Sequence, residues 1–264
     1  MTIYIFSGVF IYLIIGFVLF FLQRSMTFNK CGKPQNPEKY GLYDIKEIFI
    51  KTVDDINLLA WYKKPKKNNP LLIYFHGNSY DIGERAYRVK RYINSEWGVL
   101  LLAWRGYSGN KGVPTEKNLY IDGESAINWV KNNTNIKFDN IILYGESLGC
   151  GVAVQIGTKH KFKSIILEAP FTSIADIGQK RFPIYPVKYL TLDKFDNLKK
   201  INKVTSPILI IHGKKDEIIP FNHSLKLFKK ANFPKKHLVI DEAMHNNLYD
   251  FYIDKKVIQF NSSL

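Results

Sequence analysis

The chain opens on an unbroken apolar run. Residues 3–22 are Ile, Leu, Val, Phe and Tyr, interrupted only by Ser7, Gly8 and Gly16, with no charged residue. At about 1.5 Å of rise per residue, a helix of this length reaches roughly 30 Å, the thickness of a bilayer's hydrocarbon core. A helix apolar on every face is unusual in a soluble core. A cleavable signal peptide would carry a basic leader, a shorter apolar stretch and a small-residue cleavage site. Here Met1 and Thr2 precede the run and Gln23-Arg24-Ser25-Met26 follows it. Residues 1–22 are therefore expected to be an uncleaved transmembrane anchor. Arg24, Lys30 and Lys33 follow the run and no basic residue precedes it. The positive-inside rule then points the remaining chain toward the cytoplasm.

Residues 23–44 read as a linker, punctuated by Gly32, Pro34 and Pro37. Beyond it, residues 45–53 and 56–62 form two strand patterns around Asp54-Asp55. Short, continuous apolar runs come next, at residues 71–75, 99–104, 141–144, 164–168, 208–211 and 238–240. Helical patterns separate them, at residues 83–94, 119–132, 148–160, 224–231 and 247–259. Continuous apolar strands alternating with helices predict an α/β domain over residues 45–264, its sheet parallel and covered on both faces. The first pair makes the sheet mixed. Residues 171–205 break the alternation, with no strand and with the run Phe182-Pro183-Ile184-Tyr185-Pro186. A long insertion of this kind reads as a lid over a site.

Composition narrows the class. The chain has 264 residues, 46% of them hydrophobic and 23% charged, which fits a sizeable buried core and excludes collagen-like and low-complexity chains. Cys31 and Cys150 allow one bridge and nothing requires it. Lysine and arginine number 38 against 23 acidic residues, a net charge of +15. Such an excess points to nucleic acid, anionic membrane or anionic substrate. Only Arg24, Arg85, Arg88, Arg91, Arg105 and Arg181 are arginine, and the lysines are spread along the chain. No basic run is interleaved with aromatics as a base-stacking platform requires. The charge lies wholly outside the apolar run, so it is read as a surface beside anionic headgroups, with no nucleic acid partner expected.

The chemistry lies at strand ends. Residues 141–144 lead into Gly145-Glu146-Ser147-Leu148-Gly149 and then a helix. This is G-x-S-x-G in its strand–turn–helix setting, where a sharp, strained turn lifts the serine clear of the sheet. The following helix starts at the serine and turns its positive end toward a developing anion. Serine needs a base, and the base needs an acid to orient it. Asp216 follows residues 208–211, with Glu217 and Asp241 as fallback acids. Of the six histidines, His76, His212 and His245 fall at carboxyl ends of strands. His76 and His212 precede glycines and read as loop braces, and His160 and His223 as exposed. His237 starts a strand at the wrong end of the sheet, which leaves His245 as the base. An oxyanion hole needs two backbone N–H donors. Leu148 supplies one, and Asn78, in His76-Gly77-Asn78-Ser79 after residues 71–75, supplies the other. Buried Cys150 reads as a core thiol. No metal-ligand spacing and no Walker or Rossmann pattern is present, so neither metal nor cofactor is implied.

Several segments together resemble the membrane-anchored alpha/beta-hydrolase domain-containing serine hydrolases, the branch that includes depalmitoylases and lysophospholipases. They are Tyr74-Phe75-His76-Gly77-Asn78, Arg105-Gly106-Tyr107 with Gly112-Val113-Pro114-Thr115-Glu116, the Ser147 pentapeptide, Leu167-Glu168-Ala169-Pro170-Phe171-Thr172-Ser173, His212-Gly213 with Asp216 and Pro220, and His245-Asn246. The resemblance implies an alpha/beta-hydrolase fold with eight strands and a Ser147–Asp216–His245 triad. Ser108 and Met244 stand where that family often has glycine. The combined expectation is a membrane-anchored serine hydrolase of acyl esters or thioesters. Its partners are the lipid membrane and a small acylated substrate, and Phe171, Phe182, Ile184, Tyr185 and Tyr189 are the substrate-side residues of the lid. A peptidase or acylaminoacyl hydrolase on the same fold is the enzymatic alternative. A non-catalytic binding protein with this fold is the other class, and no oligomeric state is assigned.

Overall fold

The computed structural model describes residues 2–264, with side chains from Tyr4 onward. Met1, and the side chains of Thr2 and Ile3 within the expected anchor, lie outside the described residues. In chain order the elements are α1 (Thr2–Thr27), β1 (Lys46–Lys51), β2 (Asn57–Lys63), β3 (Leu71–Phe75), α2 (Ala86–Asn94), β4 (Gly98–Leu102), α3 (Glu116–Asn133) and β5 (Ile141–Glu146). There follow α4 (Gly149–Gly157), β6 (Ser164–Glu168), α5 (Ile174–Arg181), α6 (Val187–Leu190), α7 (Asn197–Lys200), β7 (Ile208–Gly213), α8 (Asn222–Lys230), β8 (Lys235–Ile240) and α9 (Ile253–Ser262).

The eight strands form one sheet in the order β1-β2-β4-β3-β5-β6-β7-β8. β1 and β2 pair antiparallel, β2 pairs antiparallel with β4, and every later pairing is parallel. This is the alpha/beta-hydrolase fold expected from the sequence. The continuous apolar strands have the stated cause: alternate residues feed two separate cores. Leu71, Ile73 and Phe75 face one side with Ile141 and Leu143. Leu72 and Tyr74 face the other with Ile142 and Tyr144. β4 and β5 flank β3 on opposite sides, so the winding direction reverses there, and a crevice opens at the carboxyl ends of β3 and β5.

Three boundaries differ from the sequence reading. Helix α1 runs past residue 22 to Thr27, and its segment Tyr4–Thr27 holds an 18-residue window of mean hydropathy 2.7, long and apolar enough to cross a bilayer. The stretch after it is not a free tether, because Phe28, Pro37 and Leu42 are buried and the Tyr40 ring packs on Trp61. The expected lid is also narrower. Phe195, Ile201 and Val204 belong to the main core, with the Phe195 ring in the space left by Gly151. What overhangs the sheet is α5, α6 and the chain to Leu192.

Candidate active site

Ser147 occupies the turn between β5 and α4 at φ +49°, a left-handed conformation that strains a residue carrying a Cβ. Its flanking glycines are required by distance. A Cβ on Gly145 would lie 2.6 Å from Cys150 Cα, and one on Gly149 only 1.9 Å from the Phe75 carbonyl oxygen. α4 therefore starts in backbone contact with β3. The Ser147 N–H donates to Glu168 O at 2.9 Å, which pins the turn to β6. The Cys150 thiol is buried and donates to Gly145 O and Glu168 O, a structural role.

His245, on the loop after β8, brings Nε2 within 3.2 Å of Ser147 Oγ and Nδ1 within 2.7 Å of Asp216 Oδ2. Asp216 follows β7. Its Oδ1 accepts the N–H groups of Ile218 and Ile219, and its Oδ2 also meets His212 Nε2 at 3.0 Å. Burial alone would raise this carboxyl, but the donors outweigh it and hold Asp216 well below the usual carboxylate range. An ionised Asp216 orients the Nδ1–H of His245 and leaves Nε2 bare toward the serine, as a general base requires. Glu217 and Asp241 are exposed, and Asp241 pairs with Lys214.

The other histidines sort by contact. His76 braces its loop, with Nδ1–H donating to Gly77 O at 2.7 Å and Nε2 accepting from the Trp104 N–H. His223, expected at the surface, is buried and accepts the Thr172 N–H, because α8 packs it beneath the start of the lid. His237 stacks between Phe221 and Phe228. Ser108 takes the left-handed conformation of a glycine at φ +53°, and its Oγ accepts the Ile82 N–H.

Asn78 and Leu148 border the same cavity as Ser147. The Asn78 loop is held from outside the sheet. Its carbonyl accepts the Asn29 N–H and the Tyr107 hydroxyl, and its Nδ2 donates to Thr27 O at 3.3 Å. The end of α1 thus sets the orientation of this loop, a contact with no sequence signal.

Beneath the serine lies a buried ionic cluster that the sequence reading also missed. Arg85 forks onto Glu146 through Nε and Nη2 at 3.1 and 2.8 Å, and Arg88 Nη1 meets Glu168 Oε1 at 2.9 Å. Tyr74 donates to Glu146 and Tyr144 to Glu168. Burial pushes both carboxyls up. At Glu146 the two guanidiniums prevail and hold it low, while Glu168 remains raised. The cluster joins β5 to its neighbours without reaching the cavity.

The cavity above Ser147 has a volume of about 250 Å³. Phe171, Phe182 and Tyr185 line it, whereas Ile184 and Tyr189 point outward and are exposed, so these two do not contribute to its wall. The opposite wall is α1, through Gly16, Leu19, Phe20 and Met26. Among the described residues no cluster of side chains suits a metal ion.

Residues 114–247, half of the chain, match the profile of the prolyl oligopeptidase family. The chain belongs to this family. The matched span contains Ser147, Asp216 and His245 and excludes α1. An uncharacterised protein of Mycobacterium tuberculosis is 31% identical over 227 residues, 85% of this chain and 81% of that one. Human alpha/beta hydrolase domain-containing protein 17B is 35% identical over 187 residues, 70% of this chain and 64% of that protein. An esterase of Pyrococcus furiosus shares the fold with a TM-score of 0.72 at 17% identity, over 88% of this chain and 96% of the esterase. The chain is thus a hydrolase-family protein by sequence and an alpha/beta hydrolase by fold.

Proposed function

We propose that this protein is a membrane-anchored serine hydrolase that cleaves acyl esters or thioesters through an acyl-enzyme. The observation that carries the reading is the chain of contacts from Ser147 Oγ through His245 to Asp216, at the floor of an apolar cavity. Ser147 Oγ attacks the carbonyl carbon and its proton passes to His245 Nε2. The N–H groups of Asn78 and Leu148 hold the oxyanion. Collapse breaks the bond to the leaving oxygen or sulfur, which takes the proton from His245. Water, deprotonated by His245, then releases the acid and restores Ser147. The anchor is α1, and the side of the membrane follows from Arg24, Lys30 and Lys33 at its foot.

The family name favours a second reading, hydrolysis of peptide amides. A site for a peptide's amino terminus calls for an unengaged carboxylate. Asp193 is the acidic residue in the wall, and it is already bonded to Arg24 and the Glu116 N–H. The apolar wall suits an acyl chain better. A fluorophosphonate probe should label the wild-type protein and leave Ser147→Ala unlabelled, and equal labelling of the two removes the assignment. Turnover of peptide amides with none of p-nitrophenyl acyl esters selects the second reading.

A further inference from the structure

Helix α1 meets the domain along one stripe. Gly16, Leu19, Phe20, Gln23 and Thr27, spaced as one helical face, are partly covered, while Phe17, Val18, Phe21 and Leu22 are exposed. The lid grips this helix at two levels. At the upper one the Tyr12 and Tyr185 rings stack at 4.6 Å, the Tyr185 hydroxyl donates to Tyr12 O, and the Tyr12 hydroxyl donates to Ile184 O. At the lower one Gln23 Oε1 accepts the Leu192 N–H and Arg24 pairs with Asp193 at 2.8 Å. Between the two grips, about 16 Å along the helix, α1 and the lid enclose the cavity above Ser147. Gly16 makes the upper grip fit, since a Cβ there would lie 2.9 Å from the Tyr185 ring.

We infer that α1 is a substrate-binding wall of the active site. The acyl chain of a bilayer-resident amphiphile lies in the seam between α1 and the lid, with its carbonyl at Ser147. The inference rests on the acyl-hydrolase reading above and adds the path of the chain. A helix that served only to tether would stand clear of the domain. This one lines the cavity beside Ser147, and its last carbonyl, that of Thr27, and the Asn29 N–H just after it bond Asn78. The lid touches α1 at the middle of its apolar stretch, so the seam opens at the depth of the lipid tails. An acyl chain passing from lipid into this seam never crosses water, and the exposure of each methylene is avoided.

The test uses the full chain in phosphatidylcholine vesicles and a fluorophosphonate carrying a hexadecyl chain with a diazirine near its end. The expected result is an adduct at Ser147 whose photocrosslink falls within residues 16–23 of α1. An adduct at Ser147 with crosslinks confined to other elements or to lipid overturns the inference and leaves the hydrolase reading standing. Absence of any Ser147 adduct, with short-chain and long-chain probes alike, overturns both. A second measurement reads the rate ratio of palmitoyl to butyryl esters. Gly16→Leu should lower this ratio roughly tenfold or more, whereas Phe17→Leu, on the exposed face of α1, should leave it in place. An unchanged ratio in Gly16→Leu counts against the wall. Palmitoyl glycerol and an S-palmitoyl peptide, both presented in the vesicles, distinguish a lipid from a thioester donor. Gly16-dependent hydrolysis of either supports the seam, and hydrolysis of both without that dependence overturns it.

Discussion

His76 is neutral where it stands. Its Nδ1–H is given to Gly77 O, and the lone pair of Nε2 faces the Trp104 N–H, so a second ring proton would point at a donor. Burial, reinforced by the charge of Arg85, brings its pKa down to about 3. In the unfolded chain a histidine titrates near its ordinary value of about 6.5. Between these values the unfolded state binds a proton that the folded state refuses, so stability rises with pH across the window and falls as the solution is acidified. At pH 5 this one group costs about 2 kcal/mol. Denaturant unfolding of the wild type and His76→Gln at pH 8 and pH 5 isolates it. The stability difference between the two should shift by about 2 kcal/mol toward the variant at the lower pH, and a constant difference would remove this histidine from the acid limb. Asp216 acts in the same direction at lower pH, since its carboxyl is also held low in the folded state and acidification through the ordinary carboxylate range favours the unfolded chain.

At the scale of elements, Arg88 on α2 lies between Glu146 at the end of β5 and Glu168 at the end of β6, at 3.6 and 2.9 Å. Arg88→Met strands Glu168 without a charged partner, and the expected loss of stability is about 3–5 kcal/mol. Arg88→Met with Glu168→Gln should recover part of that loss in thermal unfolding, and no recovery would locate the cost elsewhere. This cluster also shows why some of the structure was legible in the sequence and some was not. The strands were readable because each is buried on both faces, which leaves a continuous apolar run. The Ser147 turn was readable because two backbones approach there and only glycine fits. Arg85 and Arg88 gave no such sign, since a helical arginine reads as a surface charge until the carboxylates of two other strands arrive beside it. Helix α1 hid its docking face for the opposite reason: apolar all round, it has no periodic stripe to mark which side is covered. The exposed Ile184 and the half-buried Phe182 differ in which way the lid turns them, which composition does not encode.

Across the whole molecule the +15 charge divides by residue type. Arg85, Arg88 and Arg105 are buried in ion pairs, so the outer positive surface is made mostly of lysine. Lys30, Lys33, Lys180 and Lys194 are exposed near the foot of α1 or on the lid. With the full chain in vesicles, ester hydrolysis should be faster on phosphatidylserine-containing bilayers than on neutral ones. The gain should fade between about 0.05 and 0.5 M salt as screening shortens the reach of these charges, and a salt-independent rate would assign them to solubility alone. The contact between Gly149 and the Phe75 carbonyl has a mechanical consequence on the same scale. It ties the Ser147 turn to the centre of the sheet, the stiffest part of the protein. The wall opposite belongs to a helix whose remaining faces are exposed. With α1 anchored and serving as a substrate wall as proposed, reactivity would be set by the protein interior and selectivity by whatever surrounds α1. The thickness and fluidity of the host membrane would then become parameters of substrate choice.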